Sequence, residues 1–362
     1  MLDEVKAPTP LRPVRRVFRC WMLALLAAAA LAPAVTATAE APRLHGHPAQ
    51  GAGAGAELEP GDAHLAEPPG LAHAAGLATL WEALWHQSGT PTRLVRWEGP
   101  VRWRLSGRNL PAHRDMVMRA LNAVSQETGV PMTEAGAPGE DGATEGDGSA
   151  ANLRIEIVPD TALEDRQPCV TTLDFQTETR IDAARVQMRE RDVYRCAHHE
   201  AMHVMGVRGH PAGHTVLSYF PVKVDALLPL DRALLRAWYS PRMRPGMTPF
   251  EALPVLAGEW MALQPDAEAA ARVRDRFFSD TVAEMRAYAE GRGDIPAIVR
   301  RSGKATEEGV RAGRGEMGYF LGVAYLEGAT VAAPDRQAAR HWLERSASAG
   351  NRPAQARLAG MR

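Results

Sequence analysis

"HEAMHVMGVRGHPAGHTVLSYF", residues 199 to 220, sets four histidines and a glutamate among small and apolar residues, directly after His198. From Gln187 to Gly206 there is no proline, and Cys196, His199, His203 and Gly206 step by three, four and three, so they share one face of a helix. Tyr194, Ala197, Ala201 and Val204 step the same way on another face, so one side can pack while the other presents imidazoles. Histidines at i and i+4 lie one turn apart, close enough to bind a single zinc ion, and His199 and His203 have this spacing. Glu200 between them falls beside the metal, where a carboxylate can take a proton from water whose pKa zinc has lowered. Gly206 allows the helix to end, because glycine tolerates the left-handed cap conformation. His210 and His214 lie on the returning segment, and either can supply a third ligand; Asp225 is a weaker candidate, and His198 faces away.

Working outward, the chain has 362 residues, 45% of them hydrophobic, enough for one large domain or two modest ones with a real core. Its 42 basic and 43 acidic residues nearly cancel, which argues against a nucleic-acid partner or an anionic membrane surface. Residues 1–39 read as a signal peptide. "RPVRRVFR" precedes the apolar run "CWMLALLAAAALAPAV", and "ATA" at 37–39 offers small residues for a peptidase. The run is shorter than the roughly 20 residues that span a bilayer, so no membrane span is expected once the signal is removed. Arg15 and Arg16 also resemble a twin-arginine signal. Export to the periplasm or the extracellular space follows, and there Cys169 and Cys196 could pair, although Cys196 also reads as a small buried residue.

Residues 40–75, rich in Gly, Ala and Pro, read as a flexible leader. Order is expected from "LATLWEALW" (77–85), a short helix. The stretch 92–107 reads as two strands joined at Gly99-Pro100, 112–129 as a helix stopping at Gly129, and 152–158 as a strand. The acidic, glycine-rich residues 136–150 read as a loop, and 230–239 as a helix ended by Pro241.

"HEAMHVMGVRGHP" followed by "VLSYF" resembles the metzincin clan of zinc peptidases, whose signature is HExxHxxGxxH followed by a methionine-bearing turn. The resemblance implies zinc on His199, His203 and His210, Glu200 as general base, and Tyr219 as the tyrosine that approaches the metal, with His214 in reserve as third ligand. Two departures accompany it. Gly209 stands at the family's third-ligand position, one residue before His210, and Leu217 replaces the turn methionine, where it can still serve as an apolar floor. A second resemblance, over roughly 78–255, is to a family of exported bacterial proteins of unknown function with a metallopeptidase-type core. "DRALLRAWYSPRMRPGM" (231–247) is its most distinctive run. Together these imply an α+β fold, a zincin-like domain at 76–255 built of a small twisted sheet and the HExxH helix, with a protein or peptide as substrate.

An all-α region is expected over 256–362. "AG" at 312–313 recurs at 349–350 and Leu321 recurs as Leu358, an offset of 37 residues that signals stacked helical hairpins. Leu321, Gly322, Tyr325, Gly328, Asp335, Ala338, Trp342, Leu343 and Gly350 resemble the Sel-like subclass of tetratricopeptide repeats at about 312–362, which implies a possible protein partner. The competing function is therefore a non-catalytic scaffold of the cell envelope that works through these helices.

Overall fold

A computed structural model describes residues 69–86, 90–136, 151–218, 225–301, 306–331 and 333–361. The signal peptide, most of the leader and nearly all of the acidic loop lie outside the described residues, as does Tyr219. All described residues belong to one compact unit, Glu67–Arg362. It is a mixed α and β structure with a five-stranded sheet.

The first helix, α1 (Pro69–Ala83), begins earlier than expected and takes up residues assigned to the leader. Strand β1 is Val101–Gly107; its alternate residues Val101, Trp103 and Leu105 are buried, the pattern of a sheet with one face on a core. Helix α2 (Leu110–Thr128) buries Val117, Ala120, Leu121 and Val124 along one stripe and ends at Gly129, as its periodicity predicts. Strands β2 (Met132–Glu134), β3 (Leu153–Val158), β4 (Cys169–Phe175) and β5 (Ile181–Arg189) complete the sheet. The strand order is β2-β1-β3-β5-β4, all pairs being parallel except β4 with β5.

Residues 92–98 are not the strand that their alternation suggests. Their backbone groups pair with two separate loops: Leu94 N–H donates to Met247 O and Gly246 N–H to Leu94 O, while Arg96 exchanges bonds with Thr179 O and Ile181 N–H. An alternating segment whose partners come from two places forms a strut instead of a ladder.

The histidine segment is helix α3 (Val193–Val204), entered from β5 through a 3-10 turn at Glu190–Asp192. Helix α4 (Pro229–Trp238) follows the return loop, and α5 (Pro249–Met261) is closed by a capping box of Thr248 and Glu251. Then come α6 (Ala267–Glu290), α7 (Ala297–Arg301), α8 (Glu307–Glu327), α9 (Arg336–Ser348) and α10 (Arg352–Ala359). The expected division at 255/256 falls inside α5. One hydrophobic core runs on from Leu80 and Trp81 through Phe250 to Phe320 and Trp342, while Leu343, Ala354 and Met361 make a small second cluster under α10.

Candidate metal centre

Helix α3 carries three residues of the site, His199 and Glu200 on one turn and His203 on the next. His199 and His203 are brought together by their spacing, and the chain then turns back at Gly206, whose φ is +95°. A Cβ there would lie 2.2 Å from Val95 O, so no other residue fits without shifting the strut. The carbonyls that the helix leaves unpaired at its end have partners from far along the chain. Trp97 Nε1–H donates to Val204 O at 2.8 Å and Tyr239 O–H donates to Met205 O at 3.0 Å.

Of His210 and His214, the structure brings the former to His199 and His203. The Nε2 atoms of His199, His203 and His210 lie 3.0, 3.1 and 3.2 Å apart, one nitrogen from each ring facing a common centre. His214 is exposed and lies outside this cluster, as does Asp225, whose charge instead acts on the buried His198. Gly209 explains why the third histidine sits one residue late. A Cβ at 209 would meet Glu82 O at 2.5 Å, Ala83 Cα at 2.8 Å and Trp85 O at 2.8 Å. The return loop is thus pressed against the end of α1, and position 209 has no room for any side chain.

The imidazoles are held by backbone carbonyls. His199 Nδ1 sits 2.8 Å from Val216 O, and His203 Nδ1 sits 2.6 Å from Val207 O. A carbonyl can only accept, so each Nδ1 carries the proton and each Nε2 turns its lone pair inward. Burial drives the His199 pKa down to about 4 and that of His203 to about 3, the latter helped by its neighbour His199. Burial, then His203 and His199, push His210 far below the ordinary imidazole range. Three neutral imidazoles converging on one point fit a zinc ion. Tetrahedral Zn–N bonds of 2.0–2.1 Å place ligand atoms about 3.3 Å from one another, close to the separations here.

Glu200 is buried, with 3% of its surface exposed. Its Oε1 lies 3.9 Å from His199 Nε2, while its Oε2 accepts from the Thr171 hydroxyl on β4. Burial raises its pKa to about 7, opposed by the Thr171 bond. Leu217, the expected floor, is fully buried.

Three contributors escape sequence reasoning. Thr171 comes from an edge strand. His86, just beyond α1, lies near enough for its charge to depress both His203 and His210. Asp231 on α4 is completely buried and accepts from Thr215 Oγ1, Val216 N–H and Leu228 N–H. It thereby holds, through its N–H, the same residue, Val216, whose carbonyl accepts from His199. Asp231 opens the run 231–247 that sequence inspection singled out, which is a signal that something there is used. The two cysteines are joined, Cys169 to Cys196, with Cα atoms 6.1 Å apart.

Comparison with known proteins found no match to any family model, curated protein or solved structure.

Proposed function

We propose that the chain is an exported zinc-dependent metallopeptidase of metzincin-like, zincin-type architecture that hydrolyses protein or peptide substrates. The observation that carries this reading is the convergence of three Nε2 atoms within 3.2 Å, with a carboxylate oxygen 3.9 Å from one of them. A structural zinc site has no use for a buried carboxylate aimed at its edge. The sheet, with its single antiparallel edge strand leading by β5 into α3, supports the same architecture, as does the sealing of position 209 that forces the ligand to 210.

Zinc held by His199, His203 and His210 would supply Lewis-acid polarisation of the scissile carbonyl and acidify the attacking water. Glu200, through Oε1, would be the group that takes the proton from the water and passes it to the leaving amine nitrogen. Val216 O and Val207 O keep two imidazoles in the tautomer that leaves Nε2 free to bind. The Cys169–Cys196 disulfide agrees with an oxidising compartment. No helix among the described residues is long and apolar enough to cross a membrane. The α8–α9 hairpin, followed by α10, is read as a Sel-like unit that packs on the core and offers a surface to a protein partner.

The test is metal analysis of wild type and His203→Ala, with casein hydrolysis by wild type and Glu200→Gln. One zinc per chain, lost in the first variant, with hydrolysis lost in the second, is the expected result. Absence of bound metal in zinc-replete wild type refutes it.

A further inference from the structure

The disulfide and the Thr171–Glu200 hydrogen bond are two rungs of one ladder. Cys169 and Thr171 are two apart on β4, so their side chains leave the strand on the same face. Cys196 and Glu200 are four apart on α3, so they lie one above the other on the helix. The first rung is covalent, between Cα atoms 6.1 Å apart; the second is the Thr171 hydroxyl donating to Glu200 Oε2 at 2.5 Å. That bond divides the carboxylate between two tasks, because Oε2 is held by β4 while Oε1 is left 3.9 Å from His199 Nε2. Without the bond a glutamate can turn about its terminal torsion, which is broad and nearly two-fold.

We propose that Thr171 is a positioning residue for Glu200, and that the Cys169–Cys196 disulfide holds β4 against α3 so that this contact persists. The inference rests on the peptidase reading for its catalytic consequence, but its geometric content stands apart from it. Among the described residues β4 pairs with β5 alone, so its other side would be an edge, and half-buried side chains cover it poorly. The covalent rung replaces the packing that such a strand lacks.

Thr171→Val keeps the shape and removes the donor, while Thr171→Ser keeps the donor. In the zinc-loaded protein, Thr171→Val should lower kcat by about 10–100-fold at unchanged KM and zinc content, the range for losing a hydrogen-bond partner that orients a residue of a metal site. Thr171→Ser should return kcat to within about threefold of wild type, since the hydroxyl is restored. Cys169→Ser/Cys196→Ser should lower kcat in the same sense, and adding Thr171→Val to it should cost less than it does in the disulfide-bonded protein, because the two changes act on one contact. Crystal structures of metal-free wild type and Thr171→Val supply the readout that needs no activity: Glu200 Oε2 beside residue 171 in the first, and swung away in the second. The proposal is overturned if Thr171→Val keeps kcat within about twofold, if Ser fails to restore what Val loses, or if Glu200 is unmoved in both crystals. Should the zinc-loaded wild type cleave nothing, the peptidase reading fails by itself, and the crystal comparison alone decides this one.

Discussion

Gly209 shows how a single missing side chain can fix which histidine faces His199 and His203. A Cβ at this position would enter the backbone of residues 82–85, so the loop cannot carry a side chain there, and on the proposed reading the ligand role would pass to the next residue. Gly209→Ala is expected to lower the melting temperature by several degrees and to weaken zinc binding, because the loop must lift off α1 and take His210 with it. A Gly209→His/His210→Gly exchange, which restores the spacing of the metzincin signature, should lose the metal instead of improving the site. Isothermal titration with zinc checks both, and tight binding by the exchange variant would contradict the account. The depressed imidazoles give a second residue-scale prediction. At pH 6, three histidines of ordinary pKa would together release about 2.3 protons when a metal displaces them. Here His199 and His203 are already neutral, at about 4 and about 3, and His210 lies lower still. In Glu200→Gln, which removes the carboxylate's own contribution, zinc binding at pH 6 should release under about 0.5 proton from the imidazoles. Calorimetry in buffers of different ionisation enthalpy measures this.

At the scale of elements, α4 acts on the site without touching it. Asp231 closes the first turn of α4 and accepts from Thr215 and Val216, so one buried carboxylate fixes both the helix and the loop that orients His199. Asp231→Ala should cost about 3 kcal/mol in unfolding free energy, since two buried donors and a half-buried one lose their acceptor. It should also weaken zinc affinity by about 10–100-fold, the usual penalty for disturbing what orients a ligand. Equal zinc affinity in the variant would show that Val216 keeps its place unaided. What the sequence makes legible follows from the range of each interaction. His199, Glu200 and His203 can be read because a helix encodes its geometry in i, i+4 spacing. The choice between His210 and His214 cannot be read, since it depends on the end of α1, about 125 residues earlier in the chain. Thr171 is hidden for a related reason: β4 is an edge strand with few buried positions, and its alternation is too faint to announce a strand, still less a contact with α3. The apparent strand at 92–98 misled because alternation reports two faces, not who pairs with the backbone.

Across the described residues, the core does not respect the division expected at 255/256. Phe250 on α5 packs on Trp81 of α1 at a ring distance of 5.4 Å, and the same cluster continues to Phe320 and Trp342. A chain ending at residue 255 cuts α5 and strips that core of its α6, α8 and α9 side. It should therefore melt without cooperativity and bind a hydrophobic dye, whereas the full chain unfolds in one transition; a sharp melt of the shortened chain would contradict this. Acid should act on the whole molecule with a definite sign. Below pH 6.5 the unfolded chain protonates its histidines, while folded His199 and His203 resist until about 4 and about 3. Glu200 and Asp231, which burial raises to about 7 and about 6, hold protons in the folded state and act the other way. The three depressed imidazoles outnumber them, so the unfolded state binds more protons on balance and the stability of the metal-free protein falls as pH drops from about 6.5 to about 4. Thermal melts of chelator-treated protein across that range test it. The bracing of α3 has a further meaning for how the molecule is made. Trp97 reaches Val204 across 107 positions of chain, and Trp238 reaches Val95 across 143. Contacts of such separation close late, after the loops between them have been gathered in. The end of the histidine helix should therefore be finished only when most of the polypeptide has found its place, so a metal taken up on the proposed reading would be bound late, and its binding would report a chain that has already passed its own inspection.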